Sequence, residues 1–226
     1  MPRLLLAVLL VLAPLFVAAR SAHAQTEQQT LVDRATLVVQ EMMSSENGND
    51  AHKLLIKAKG AMVCPRIFKA GFIVGGQGGG CVLVGRGQDH WSSPAFYGMG
   101  SGSVGLQIGV QDSEAVFLVL TERGLHALLD SQFKIGADAS IAVATLGAGV
   151  SGSTTAALRA DIVAFAKNSG LFAGISLEGS LISSLSDWDQ AYYGRPMAAQ
   201  QIVLQGEADN PGAAPLKETL ARYAGG

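Results

Sequence analysis

Lys53, Lys57, Lys59, Arg66, Lys69 and Arg86 lie between Asp50 and Asp89, a stretch with no other Asp or Glu. The whole chain carries 16 basic and 18 acidic residues, so this is a local positive excess on a negative molecule. Apolar Ile56 and Phe68 stand among the cations. Such a mixture suits an anionic membrane surface: each lysine or arginine near it contributes ~1 kcal/mol while the apolar groups insert. An ordinary solvated helix with its apolar stripe in the core gives the same pattern. Spacing alone leaves both readings open.

Other chemistry finds less support. His52, His90 and His126 are isolated in sequence, and no spacing builds a Ser/His/Asp or Cys/His centre. They are expected on the solvated surface. Gly100-Ser101-Gly102-Ser103-Val104-Gly105 matches the dinucleotide fingerprint, which needs a helix directly after it. Here Leu106 onward alternates like a strand, so nucleotide binding is not expected. There is no Walker lysine loop and no G-x-S-x-G elbow. Asp187 and Asp189 flank Trp188; paired carboxylates can do acid–base work, but at a helix start they are expected to cap it and complement its dipole. Cys64 and Cys81 are the only cysteines, with no histidine at a ligand spacing. In an oxidising compartment a disulfide is the expected state, contributing ~3 kcal/mol. Two buried free thiols are the alternative, because sequence does not show their separation. No catalytic residue, metal or cofactor is expected.

The elements that hold these residues follow from periodicity. Thr30 and Asp33 resemble a capping box ahead of an apolar stripe at Leu31, Ala35, Val38, Val39 and Met42. Asp50 is expected to cap a second, shorter helix burying Ala51, Leu54, Leu55 and Ala58, with Lys53 and Lys57 off that face and Gly60 as the stop. Ala61–Cys64, Gly71–Gly75 and Cys81–Val84 then read as strands, separated by Pro65 and by a glycine-rich turn over 75–80. Trp91–Tyr97, Ser103–Gln111 and Ala115–Leu120 continue as strands, the second alternating at Val104, Leu106, Ile108 and Val110. Thr121 caps a helix with Leu125, Leu128 and Leu129. Phe133–Val150, Ala160–Ala166 and Leu171–Ile182 are long small-residue strands, and helices return near Asp187–Tyr193, Met197–Leu204 and Leu216–Tyr223. The expected class is α+β: a mostly antiparallel, glycine-rich sheet, curled or barrel-like, with helices at both ends.

Residues 1–24 read as a signal peptide. Arg3 precedes the apolar run Leu4–Ala19, which Pro14 interrupts, and Ala22-His23-Ala24 offers a peptidase site. The run is shorter than the ~20 apolar residues of a membrane span. The expectation is an exported chain, periplasmic or secreted, with one domain over 25–226. Losing Arg3 and Arg20 leaves 14 basic residues against 18 acidic ones, a net of about −4. That excludes a whole-molecule attraction to nucleic acid, so anion binding has to be local.

Separated motifs then match one family. Phe68-Lys69-Ala70-Gly71-Phe72-Ile73-Val74-Gly75-Gly76, Trp91–Tyr97, Gly102–Gly109, Phe133–Ser140, Gly170–Gly179 and Asp187-Trp188-Asp189-Gln190-Ala191-Tyr192-Tyr193-Gly194 occur in order, covering about Leu31 to Gly194. The sequence resembles the SYLF domain, a family of phosphoinositide- and phospholipid-binding modules whose yeast members also bind actin. The resemblance implies lipid binding through a basic amphipathic segment near the N-terminus, here Lys53, Lys57, Lys59, Arg66 and Lys69. In one respect the chain departs from the family: it is expected to stand alone, without the protein-interaction domains often attached to eukaryotic relatives. Export would keep it from cytoplasmic actin and phosphoinositides, so an ordinary anionic phospholipid surface is the expected partner. The second reading is an envelope structural or protein-interaction domain that pairs through its glycine-rich sheet, an actin-binding-like scaffold. A hydrolase is the third.

Overall fold

β-structure begins where the helical period stops, at Gly60. In the computed structural model, which describes residues 27–45, 48–71, 74–88, 90–104, 109–145, 159–170, 177 and 179–225, helices α1 (27–44) and α2 (Asn49–Leu55) precede four long strands. These are β1 (Gly60–Gly71), β2 (Val74–Gly85), β3 (Ala95–Val104) and β4 (Gly109–Val119). Helix α3 (Glu122–Leu129) leads to β5 (Gln132–Lys134), β6 (Ile141–Thr145), β7 (Ile162–Gly170) and β8 (Leu181–Ser184). Helix α4 (Ser186–Tyr193), α5 (Ala199–Val203), a 3-10 turn (Pro211–Ala213) and α6 (Ala214–Tyr223) follow. The strands form one sheet in the order β5-β8-β3-β2-β1-β4-β7-β6, antiparallel except for β6 beside β7. The class is α+β, with a curled, half-barrel sheet and helices toward both chain ends.

Alternation divides the core between the sheet's two faces. Ala61, Val63, Val82, Val84, Phe96, Val116 and Leu118 meet α1, α2, α4 and α6 through residues such as Val39, Leu55, Tyr192 and Leu216. Met62, Cys64, Leu83, Tyr97, Phe117 and Val119 meet α3 and α5 through Leu125, Leu128 and Ile202. Strands covered on both faces read as unbroken apolar runs. Ala61–Cys64, Cys81–Val84 and Ala115–Val119 do so, and all are buried. The other ends of these strands are thinner. There β1 and β2 become half-exposed and glycine-rich.

Several expected boundaries move. The glycine run over 75–80 is not a turn but lies inside β2, paired residue by residue with β1 and β3. Gly71–Gly75, expected to be strand, spans the change from β1 to β2. Ladder hydrogen bonds on both sides outweigh the turn preference of glycine. Ser103–Gln111 is likewise not one strand: its ends belong to β3 and β4, and 105–108, with Leu106 and Ile108, lie outside the described residues. Trp91 makes only an isolated bridge to Arg86 before β3 begins at Ala95. Among the described residues Phe133–Thr145 divides into β5, a turn and β6, and of the described part of Leu171–Ile182 Leu181 and Ile182 are strand; 146–150, 171–176 and 178 are outside the described residues. Thr30 and Asp33 fall within α1, since the helix already runs at residue 27. Thr121 does cap α3, its hydroxyl accepting from the Gly124 N–H at 3.0 Å.

The register of β1 slips once. Its pairing with both β2 and β4 shifts by one residue between Cys64 and Ile67, so the extra residue lies in β1, at Pro65–Arg66. Proline suits a bulge because it has no N–H to give the ladder. A side chain at Gly79 would start 2.0 Å from the Arg66 carbonyl oxygen, which explains the glycine opposite. Beside the bulge Cys64 and Cys81 are joined in a buried disulfide linking β1 to β2. Replacing both cysteines with alanine is expected to lower the unfolding free energy by about 3 kcal/mol, the entropy of a short loop released in the unfolded chain. Urea unfolding of oxidised protein and double variant checks this; coincident midpoints would show that the bridge contributes nothing.

Candidate functional site

Helix α2 sits at the packed end of the sheet, with Ala51 and Leu55 in the core. Asp50 does not cap it: the N-cap is Gly48, and the Asp50 carboxylate instead meets the Lys53 ammonium at 3.4 Å. The far end is closed by Arg86, whose guanidinium donates to the Leu55 and Ile56 carbonyls at 3.3 and 2.6 Å and lies over the Trp91 ring. These carbonyls are among those a helix leaves unpaired, and a cation also complements the dipole there. Arg86 is thereby committed to structure. Lys53 on α2, Ile56 at its C-cap and Lys57 in the turn that follows are all exposed. Ile56 is 46% exposed, and the Lys57 ammonium has no ion pair among the described residues. Lys59 follows, 3.3 Å from Glu122. Exposed pairs of this kind are worth ~0–1 kcal/mol, so Lys53 and Lys59 stay available to another anion.

Arg66 and Lys69 are not part of that group. At ~3.3 Å per residue, they lie on the order of 20–30 Å along β1 from Lys59. They also point to opposite faces. Arg66 shares the α1 face with Phe68, forms two hydrogen bonds to the Asp112 carboxylate at 2.8 and 3.3 Å, and lies over the Phe68 ring. This contact pulls the Asp112 carboxyl below its ordinary range. Lys69 is half-buried on the α3 face, in register with Gln77 and Gln111. The structure thus brings together Lys53, Lys57 and Lys59, and places Arg66 and Lys69 elsewhere.

A groove along one edge of α1 was not visible in sequence. It is two adjoining cavities of about 420 and 320 Å³, sharing Arg34, Pro65 and Arg66. The first adds Glu41, Asp112 and Glu114; the second adds Leu31, Phe68 and Trp188. Burial and the nearby Glu41 raise the Glu114 carboxyl, and Lys167 ion-pairs with Glu41. Mixed charge makes it neither a simple anion nor a simple cation site. No group of carboxylates, histidines and cysteines among the described residues is placed to hold a metal. His90 and His126 are exposed, and His52 meets the Tyr223 ring edge-on. Gly100–Val104 lies within β3, and the next described element is a strand, so the fingerprint lacks its helix. No described helix is long and apolar enough to cross a membrane, which leaves strands aside.

Asp187 and Asp189 part company. Asp187 is exposed; Asp189 is wholly buried and does not cap α4. One Asp189 oxygen accepts the Phe96 N–H at 2.9 Å, pinning α4 to β3, while the other is buried without a hydrogen bond. Burial pushes its carboxyl up to about 7. Asp161, by contrast, is held below the ordinary range by Arg123, Ser140 and Thr121, uniting α3, β6 and β7.

The described chain is thus a curled, mostly antiparallel sheet with helices toward both ends, exposed cations at and after α2, and a groove beside α1. The Ysc84 family model, described as Las17-binding protein actin regulator, matches residues 100–223. The chain is 31% identical over 175 residues to SH3 domain-containing YSC84-like protein 1 of Homo sapiens, covering 75% of this chain and 50% of that protein. The Xenopus laevis protein of the same name is 32% identical over 174 residues, covering 75% and 52%. LAS seventeen-binding protein 3 of Saccharomyces cerevisiae (strain ATCC 204508 / S288c) is 30% identical over 171 residues, covering 74% and 37%. The chain spans about half the length of the animal relatives and less of the yeast one. It belongs to the Ysc84 family, the SYLF-domain proteins.

Asp189 gives a test of the α4 contact. Its folded pKa exceeds the unfolded value of ~3.9, so the native state holds the extra proton. Its stabilising contribution is complete below about pH 4 and is lost as pH rises to about 7. Asp189→Asn keeps an acceptor for the Phe96 N–H and removes the charge. Thermal melts should match wild type near pH 4 and exceed it at pH 8; equal midpoints at both would show that Asp189 costs nothing when ionised.

Proposed function

We infer that this chain is a non-enzymatic, peripheral binding module for anionic phospholipid, docking through α2 and the turn after it. The observation that supports this most directly is the exposure of Lys53 on α2 together with Ile56, Lys57 and Lys59 in the short turn that follows it. The cations attract phosphate headgroups and Ile56 enters the interface. Family membership supports the same reading, since the SYLF resemblance implies phospholipid binding. Arg66 and Lys69 make no part of this contact; one is paired with Asp112 and the other faces the opposite side.

Ordinary anionic headgroups suffice for such a contact, because it contains no enclosed pocket for one particular inositol phosphate. Export after cleavage near Ala24 would give the module the outer or periplasmic leaflet as its surface. Binding should weaken with salt, since charges are screened within ~8 Å at physiological ionic strength.

Co-sedimentation of residues 25–226 with phosphatidylcholine vesicles, with and without phosphatidylglycerol, tests the reading. Pelleting is expected only with the anionic lipid. Lys53→Glu with Lys57→Glu should weaken it at least about tenfold, given ~1 kcal/mol for each cation lost. Equal pelleting in both vesicle types, unaffected by the double variant, would retire α2 as the ionic contact.

A further inference from the structure

At the end of the sheet farthest from α2, no described element covers the α1 face. Alternation along each strand puts Val74, Gly76 and Gly78 of β2 on this face with Val82 and Val84, and Gly100 and Gly102 of β3 with Phe96. Val110 and Asp112 of β4 join Val116, and Phe68 is in register with Gly78 and Asp112. Helix α1 reaches only as far as Gly80, where a side chain would meet Leu31. Beyond it Phe68, Val74 and Val110 are 43, 69 and 61% exposed. Arg66 lies over the Phe68 ring, and the other neighbours on this face are largely glycine.

Two further facts bear on what covers this face. The first is charge. Residues 70–85 and 91–111 contain no Asp, Glu, Lys or Arg, and the Arg66–Asp112 ion pair on this face beside Phe68 is neutral as a pair. A neutral patch on a net-negative chain has little to attract an anionic membrane, but it lets two like molecules approach without repulsion there. The second is shape. A Cβ at Gly102 would meet nothing within 4 Å, and at Gly76 and Gly100 only ordinary contacts. Glycine inside a strand costs roughly 0.5–1 kcal/mol, and the monomer's own packing does not require it at these positions. The apolar side chains therefore stand on β1, β4 and the tip of β2, beside a smooth furrow on β2 and β3.

We propose that this face is a self-association surface whose occupant is a second copy of the chain. A two-fold axis parallel to the strands lays the β1–β4 ridge of each copy over the β2–β3 furrow of the other, a self-complementary contact. Four strands ~4.8 Å apart, over about five residues, give on the order of 300 Å² of sheet per copy. That is less than the ~800 Å² per partner of a standard stable interface, so the association is weak and rises with concentration. It is the kind of contact that strengthens when copies crowd onto a surface. The inference goes beyond the lipid reading and stands or falls separately from it.

Sedimentation velocity of residues 25–226 up to about 1 mM tests it, that being the concentration at which a contact of ~4 kcal/mol half-forms. A concentration-dependent dimer is expected. Val74→Asp with Val110→Asp should weaken it at least about tenfold. Gly102→Val should weaken it too while leaving the melting temperature unchanged or raised, since the monomer has room for the side chain and valine favours strands. A chain that stays monomeric throughout overturns the proposal, as does a dimer indifferent to both variants. Loss of vesicle pelleting in Gly102→Val, with no dimer in solution, would assign the face to lipid and overturn it as well. Failure of the wild type to pellet with vesicles leaves the dimer result intact and counts against the lipid reading alone.

Discussion

The structure depends on β1 being paired along both edges. Its residues from Gly60 to Gly71 bond to β2 on one side and β4 on the other, and β3 and β7 are joined to β1 only through those two partners. A strand so placed has no freedom to slide, because a one-residue slip would exchange Ala61 and Val63 with Met62 and Cys64 between the two cores. The single permitted irregularity is the extra residue at Pro65–Arg66. It turns Arg66 and Phe68 toward α1 and Lys69 toward the opposite face. Without that residue the charges on this strand would be dealt out the other way.

This one strand also decides what the cationic stretch becomes. In sequence Lys53 to Lys69 is a single basic run, and the eye joins it. In space β1 carries its later members away from α2, while the bulge separates Arg66 from Lys69. Each later cation then finds local employment: Arg66 with Asp112 from β4, and Arg86 at the carbonyl end of α2. What stays outward is short: Lys53 on α2, and Lys57 and Lys59 in the turn after it. A contact of that size suits weak, reversible attachment, each exposed charge contributing only ~1 kcal/mol.

The fold class was legible because amphipathic period and strand runs alternate cleanly with Gly60 and Thr121 as boundaries, and because the family motifs are spread along the chain. Glycines were the main source of error. Gly75–Gly80 carries every local sign of a turn, and only pairing with β1 and β3 makes it strand. The cysteine pair could be suspected but not placed, since neither strand register nor separation is written in composition. Asp189 carries a signal in the helical period. Leu185, Asp189, Tyr192 and Tyr193 recur at i, i+4, i+7 and i+8, which sets the carboxyl in the buried stripe of α4 rather than at its cap. The α1 groove had none, because Arg34, Arg66 and Asp112 come from three distant elements.

The two indoles of the chain have different surroundings. Trp91 is buried under the Arg86 guanidinium that closes α2, and Trp188 borders the groove beside Phe68. Anything that shifts α2 must disturb the cation above the first ring; anything seated near Phe68 changes the polarity around the second. Tryptophan emission, resolved by leaving one indole at a time, therefore gives this protein an intrinsic two-channel optical readout, one channel for α2 and one for the groove beside α1.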